Sequence, residues 1–238
     1  MIRYKIADVV FDAKINYRYT KDLCQEYEYS GDEQPAFTTT ITEQDILHEE
    51  GLAQEKFPAA YLESLALFRK LCNYCLEKAD GIIFHSSAIA VDGEAYLFTA
   101  PSGTGKSTHS RLWREMLGDK AVMINDDKPI VRLIDGEFFV YGTPWTGKHK
   151  LGTNGRAKIK AICAISQAKE NVIRHASTGE MLLVILNQTI RPKEITNMDK
   201  LLFLIEKMLL NVDIYHLGCN ISREAAELSY KTMSGRQI

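Results

Sequence analysis

The stretch Tyr96-Leu97-Phe98-Thr99-Ala100-Pro101-Ser102-Gly103-Thr104-Gly105-Lys106-Ser107-Thr108 decides the fold. Residues 96–99 are apolar or β-branched and predict a buried strand. A glycine-rich loop follows, and the pattern after it predicts a helix over 106–117 closed by Gly118. Strand, glycine loop, Gly-Lys-Ser and helix in that order is the context of a phosphate-cradling loop, the Walker A motif. Gly103 and Gly105 let the backbone curl around an anion without a side chain in the way. Successive N–H groups then point inward, and the helix N-terminus adds positive potential. Lys106 suits the β- and γ-phosphates, and the Ser107 hydroxyl suits a Mg²⁺ ion. The expected nucleotide contacts are therefore Ser102, Gly103, Thr104, Gly105, Lys106, Ser107 and Thr108. Ala100 stands where such loops usually open with glycine. It is small enough to serve if that position keeps a negative φ.

One helix further on, Ala121-Val122-Met123-Ile124-Asn125-Asp126-Asp127 reads as an apolar strand ending in two carboxylates. A single crossover helix between two strand ends brings these carboxylates near the loop. One carboxylate there can hold Mg²⁺, and a second can accept a proton from an attacking hydroxyl. Asn-Asp-Asp also starts turns well, but its placement matches a metal site.

The next informative stretch is Tyr141-Gly142-Thr143-Pro144-Trp145-Thr146-Gly147-Lys148-His149-Lys150. Backbone freedom and two lysines suit a loop that grips a phosphate or an acceptor, and Lys148 is its best catalytic candidate. Trp145 argues against a purely mobile surface loop, because tryptophan is seldom exposed. His85 either faces the site or fills a hairpin core. His109 is expected to pack within its helix. Arg111 and Arg114 are expected to pair on the surface with Glu115 and Asp119. Arg156 and Lys158 are weaker candidates for neutralising phosphate charge.

Elsewhere the chain alternates helix and strand patterns. Strands are expected over 6–11, 36–41, 81–89, 95–99, 120–125, 158–166 and 212–217. Hairpins are expected at Asp92-Gly93 and Asp135-Gly136. Helices are expected over 58–79, 178–187, 198–211 and 223–233. Residues 26–33 read as a loop. Cys72 and Cys75 form a C-x-x-C pair, but they fall on the apolar stripe of the 58–79 helix and read as core cysteines. The mixture of hairpins and crossovers predicts an α/β fold with a mixed sheet flanked by helices.

The 238 residues carry 45% apolar and 25% charged side chains with a net charge of −2. That composition fits a soluble globular chain and gives no basic surface for nucleic acid. No signal-like segment follows Met1, and no window is long and apolar enough to span a membrane. With five cysteines of odd count, the expected compartment is the reducing cytoplasm. A homo-oligomer is compatible with the sequence.

Ser102–Thr108 together with Asn125-Asp126-Asp127 resembles the catalytic domain of the HPr kinase/phosphorylase and phosphoenolpyruvate carboxykinase superfamily. Members pair the loop with an Asp-Asp strand end and precede it with a hairpin carrying a histidine, here His85. The run over 100–115 is also similar to small HPr-kinase-like proteins. The resemblance covers roughly residues 80–165. It implies a P-loop domain over 80–238, with residues 1–79 as a β-leaning segment and connecting helix. It implies ATP and Mg²⁺, with Asp127 as the metal-side carboxylate and Asp126 as the base or a partner held through water. The downstream signature of HPr kinases is absent, so the implied activity is transfer of the γ-phosphoryl group to a hydroxyl of an unidentified acceptor. That acceptor is a peptide or protein serine or a small metabolite. The alternative expectation is a regulatory module that binds ATP with little or no transfer.

Overall fold

The computed structural model describes residues 1–192 and 194–237. Its architecture is mixed α/β. A large mixed sheet is flanked by helices, and a smaller sheet is formed by the N-terminal residues. The small sheet contains β1 (Ile2–Ile6), β2 (Val9–Lys14) and β3 (Phe37–Thr40), with β2 at its centre. The single strand expected over 6–11 is in fact a hairpin corner. Ala7 and Asp8 both adopt positive φ, 52° and 57°, and reverse the chain. An alanine in that region is locally unfavourable, so no sequence signal marked the turn.

Residues 1–57 are also more helical than their composition implies. They contain α1 (Arg18–Cys24) and α2 (Glu43–Leu52). The second begins with a reciprocal cap, in which the Thr42 hydroxyl accepts from the Asp45 N–H and the Asp45 carboxylate accepts from the Thr42 N–H. The expected long helix follows as α3 (Ala59–Lys78). Buried Glu63 on α3 accepts from the N–H groups of Asn16 and Tyr17, at 2.6 and 3.0 Å, and from the Thr20 hydroxyl. This carboxylate satisfies orphan donors at the start of α1 and ties that helix to α3.

The large sheet begins with β4 (Gly81–Ile83) and β5 (Ser87–Val91), which replace the single strand expected over 81–89. Then come β6 (Glu94–Thr99), α4 (Lys106–Leu117), β7 (Ala121–Asn125), β8 (Ile130–Ile134) and β9 (Glu137–Tyr141). The chain continues through β10 (Arg156–Gln167), β11 (Val172–His175), α5 (Thr178–Asn187), α6 (Ile195–Asn211), β12 (Asp213–Cys219) and α7 (Arg223–Ser234). The main path runs β4-β8-β9-β10-β6-β5-β7, and β12 with β11 branches from β10. Strand β10 is parallel to β6 and β12, whereas the hairpins β5-β6 and β8-β9 are antiparallel. Their turns have Asp at φ near 50° followed by Gly at φ 82°, as Asp-Gly spacing requires.

Chain length forces the sheet to curl. On a flat sheet β4 and β5 would lie five strand spacings apart, about 24 Å at ~4.8 Å each. Only residues 84–86 join them, and an extended link of that length spans at most about 14 Å. The two flanks must therefore approach each other. Residues 84–86 hold this closure through backbone bonds from Phe84 to Pro129, from His85 to Gln188 and from Ser86 to Asp127.

Three apolar clusters follow from this arrangement. Helices α5 and α6 pack on one face of the large sheet around Ile162, Leu204 and Ile205. Helices α4 and α7 pack on the other around Trp113, Phe98 and Tyr230. The third joins β1, β2 and α3 to Ile83, Ile130, Tyr141 and Trp145 of the large sheet. Cys72 and Cys75 lie in this third cluster, and burial pushes both thiols up. No helix among the described residues is long and apolar enough to cross a membrane.

Candidate active site

The loop after β6 has the conformation its glycines permit. Gly103 and Gly105 sit at φ +79° and +122°, and a Cβ at either would meet no atom within 4 Å. Glycine is demanded there by backbone conformation alone. Ala100 is not among the positive-φ residues, which is why alanine suffices at the first position. Gly105 caps α4, so the free N–H groups of the first helical turn open beside the loop.

Lys106 opens that helix and is buried. Its ammonium donates to the Ala100 carbonyl at 2.8 Å and makes no ion pair among the described residues. Burial lowers its pKa, while the charges of Asp127 and Asp126 pull it partly back. A buried cation without a carboxylate in contact is costly to keep, and it favours an anion brought from outside.

The crossover α4 carries the chain over β5 to β7, which lies parallel to β6 on the far side of β5. Both strand ends open on the same edge of the sheet. Asn125 shapes the corner beyond β7. Its side-chain carbonyl accepts from the N–H groups of Asp127 and Lys128, both at 2.8 Å, and its amide donates to Thr143. The carboxylate of buried Asp126 accepts from the Ser87 hydroxyl at 2.6 Å and from Ser110 at 3.4 Å. Asp127 faces His85 and Lys128 instead. His85 Nε2 lies 3.0 Å from one oxygen and Lys128 Nζ 2.7 Å from the other. Burial would raise the Asp127 carboxyl, but His85 and Lys128 outweigh it and hold it at about 2.

These groups converge on one cleft of about 690 Å³, lined by Ser102, Gly103, Gly105, Lys106, Ser107 and Thr108 together with His85, Asp126, Asp127 and Lys128. The 144–150 loop forms the opposite wall. Trp145 roots it in the core against Phe68, with ring centroids 4.4 Å apart, whereas Lys148 is exposed at the rim. Gly147 crosses Asp127 closely, since a Cβ there would stand 3.0 Å from the Asp127 Cβ. The third wall is Tyr19, Leu23 and Tyr61, from α1 and α3.

Sequence reading missed several of these groups. Lys128, Ser87, Tyr19 and Tyr61 carry no local spacing signal: Lys128 comes in beside Asp127, Ser87 through the pairing of β5 with β7, and Tyr19 and Tyr61 with α1 and α3. His85 was expected in a strand but stands in the β4–β5 link, where the break aims it at Asp127. Thr104 is the one expected loop contact outside the cleft lining; it lines a neighbouring groove with Leu112 and Ile221. His109 packs away from the cleft, 2.9 Å from the Ser229 hydroxyl, and burial lowers its pKa to about 4. Arg111 pairs with Glu115. Arg156 bonds to Asp8 and Tyr141, and Lys158 pairs with Glu137, all outside the cleft lining.

The oxygen donors present are hard ligands of the kind magnesium takes. The Ser107 hydroxyl has no hydrogen-bond partner among the described residues, and Asp127 stays ionised over the physiological range. Magnesium characteristically uses one or two such groups and completes its shell with phosphate and water.

No protein-family model and no curated protein matches the chain. Among solved structures, it is similar to the Hpr(Ser) kinase/phosphatase from Coxiella burnetii, with 10% identity, a TM-score of 0.35 and coverage of 64% of this chain and 93% of that one.

Proposed function

We propose that this chain is an ATP-dependent kinase that transfers the γ-phosphoryl group to a hydroxyl. One observation carries the proposal: Lys106 is a buried cation without a carboxylate in contact, set beside two positive-φ glycines and a helix start, in the same cleft as two aspartates. Ser102, Gly103, Gly105, Lys106, Ser107 and Thr108 bind the polyphosphate. Ser107 and Asp127 hold Mg²⁺, which when bound neutralises phosphate charge. Lys106 follows the charge that develops as the phosphoryl group moves. Asp126 receives the hydroxyl proton. The acceptor oxygen bonds to the γ-phosphorus as its bond to the β,γ-bridging oxygen breaks, and ADP leaves with that electron pair. Lys148, at the rim, contacts the incoming phosphate or the acceptor. Residues 80–238 form the catalytic domain, and residues 1–79 complete the cleft wall.

A second reading has specific support. Both oxygens of Asp127 are engaged, one by His85 and one by Lys128, so an ion there would compete with Lys128 for the same carboxylate. A module that binds ATP and transfers nothing would keep that pair intact. Incubation with γ-labelled ATP and Mg²⁺, with and without host extract, separates the two. Label on an acceptor supports the kinase, and tight uptake without turnover supports the module. Asp126→Asn should lower transfer by about 10²- to 10⁴-fold while calorimetry finds ATP affinity unchanged. Equal transfer by this variant removes the base assignment, and absence of ATP uptake by the wild type removes the whole proposal.

A further inference from the structure

A second groove, of about 410 Å³, lies on the other side of Asp127. It shares Tyr61, His85, Asp127 and Lys128 with the nucleotide cleft, so the two spaces meet at the acidic corner. Most of its other walls are apolar, with Leu52, Phe57, Leu65, Phe68, Ile83 and Ile190, while Asn187, Gln188 and Thr189 add uncharged polar groups beside Ile190. Four of the apolar residues come from the N-terminal residues, in α2, α3 and the link between them. Away from the corner its charged groups are Glu49 and Arg69, which neutralise each other through two hydrogen bonds.

The groove's chemistry limits what can fill it. A charged molecule would lose its hydration there without gaining a partner. A peptide would ordinarily add along a free strand edge, and β4 is the terminal strand here. Beside the groove that edge is capped, because the Thr189 hydroxyl donates to the Ile83 carbonyl at 2.6 Å and, just past the strand, the His85 N–H donates to the Gln188 carbonyl at 2.7 Å. What remains is a concave, mostly apolar space of small-ligand size, with polar groups at the Asp127 corner and uncharged ones along 187–189.

We propose that this groove receives the apolar body of the phosphoryl acceptor, a small uncharged alcohol whose hydroxyl passes His85 and Asp127 to reach Asp126. The inference rests on the kinase reading and gives the N-terminal residues their role, which is acceptor selection. The test is a pair of titrations on the full chain with ATP and Mg²⁺ present. Benzyl alcohol and glycerol are added as probes and followed by NMR, while ATP affinity is measured on the same samples. Benzyl alcohol should bind about tenfold tighter than glycerol or better. It should perturb His85 and Leu65. Leu52→Glu, at an exposed position, and Phe57→Ser should each remove most of that preference and leave ATP affinity unchanged. Equal binding of the two alcohols, or an undiminished preference in both variants, overturns the inference. So does tighter binding of N-acetyl-seryl-leucine amide than of benzyl alcohol. Loss of ATP binding in the wild type refutes the kinase reading separately, because the alcohol titrations are read independently.

Discussion

Replacing Gly105 by alanine separates the shape of the glycine loop after β6 from the packing around it. Gly105 has φ +122° and ψ 16°, outside the regions open to an L-residue, and a Cβ there would meet nothing within 4 Å. No steric term from neighbours enters, so the whole cost is local backbone strain of roughly 1–3 kcal/mol. That strain has two outlets. If the loop keeps its shape, the chain loses that much stability and ATP affinity survives. If the loop relaxes, stability returns and ATP binding weakens by about 5- to 150-fold, the same free energy expressed as affinity. Urea unfolding gives the first quantity and calorimetric titration with ATP the second, and their sum should fall within about 1–3 kcal/mol. Gly93→Ala is the control. Gly93 has φ +82° and equally open surroundings, but it sits in the β5–β6 turn at the other end of those strands. It should lose stability alone. A Gly105→Ala sum near zero, or an equal loss of ATP affinity in Gly93→Ala, would refute the assignment of this loop as a pre-shaped anion cradle.

Three further outcomes follow from buried and half-buried groups. Asp127 is held at about 2 against an ordinary 3.8. A depressed carboxylate contributes its stability above the unfolded value, so about 2 kcal/mol should vanish as pH falls from 3.8 to 2. Asp127→Asn should flatten urea-unfolding stability across that window, and an unchanged slope would contradict the His85 and Lys128 contacts. His109 is lowered from 6.5 to about 4 by burial. The unfolded chain takes up its proton first, so about 3 kcal/mol should be lost between pH 6.5 and 4. His109→Gln should remove that slope, and a persisting one would place its origin elsewhere. Trp113 is fully buried against Tyr96, Phe98 and Tyr230 and donates to Ser229 at 2.9 Å. Trp113→Ala should cost about 3–5 kcal/mol in chemical denaturation, and a cost below about 1 kcal/mol would deny that the α4–α7 face depends on it.

The parts legible in the sequence are those whose physics is local. Strand, glycine loop and helix over 94–117 follow from neighbouring residues, because positive φ, helix initiation and lysine spacing all act within a few positions. The Asp92-Gly93 and Asp135-Gly136 turns follow for the same reason, as does α5 with its Ser177 cap. The apolar stripe of α3 also placed Cys72 and Cys75 in the core. The Ala7-Asp8 corner was hidden because its conformation is imposed by strand pairing rather than favoured by its residues. Likewise, His85 reaches Asp127 only because residues 84–86 must bridge the two flanks of a curled sheet. Tyr61 lines the cleft because α3 packs on the large sheet, and Tyr19 and Leu23 join it because α1 is tied to α3 by buried Glu63 across more than forty positions. Sequence by itself determined the glycine loop over 100–105, the helix after it and the two aspartates, whose spacing is carried by one helix. The tertiary structure decided what surrounds them, since contacts between distant segments depend on how the sheet closes and leave no periodic trace along the chain.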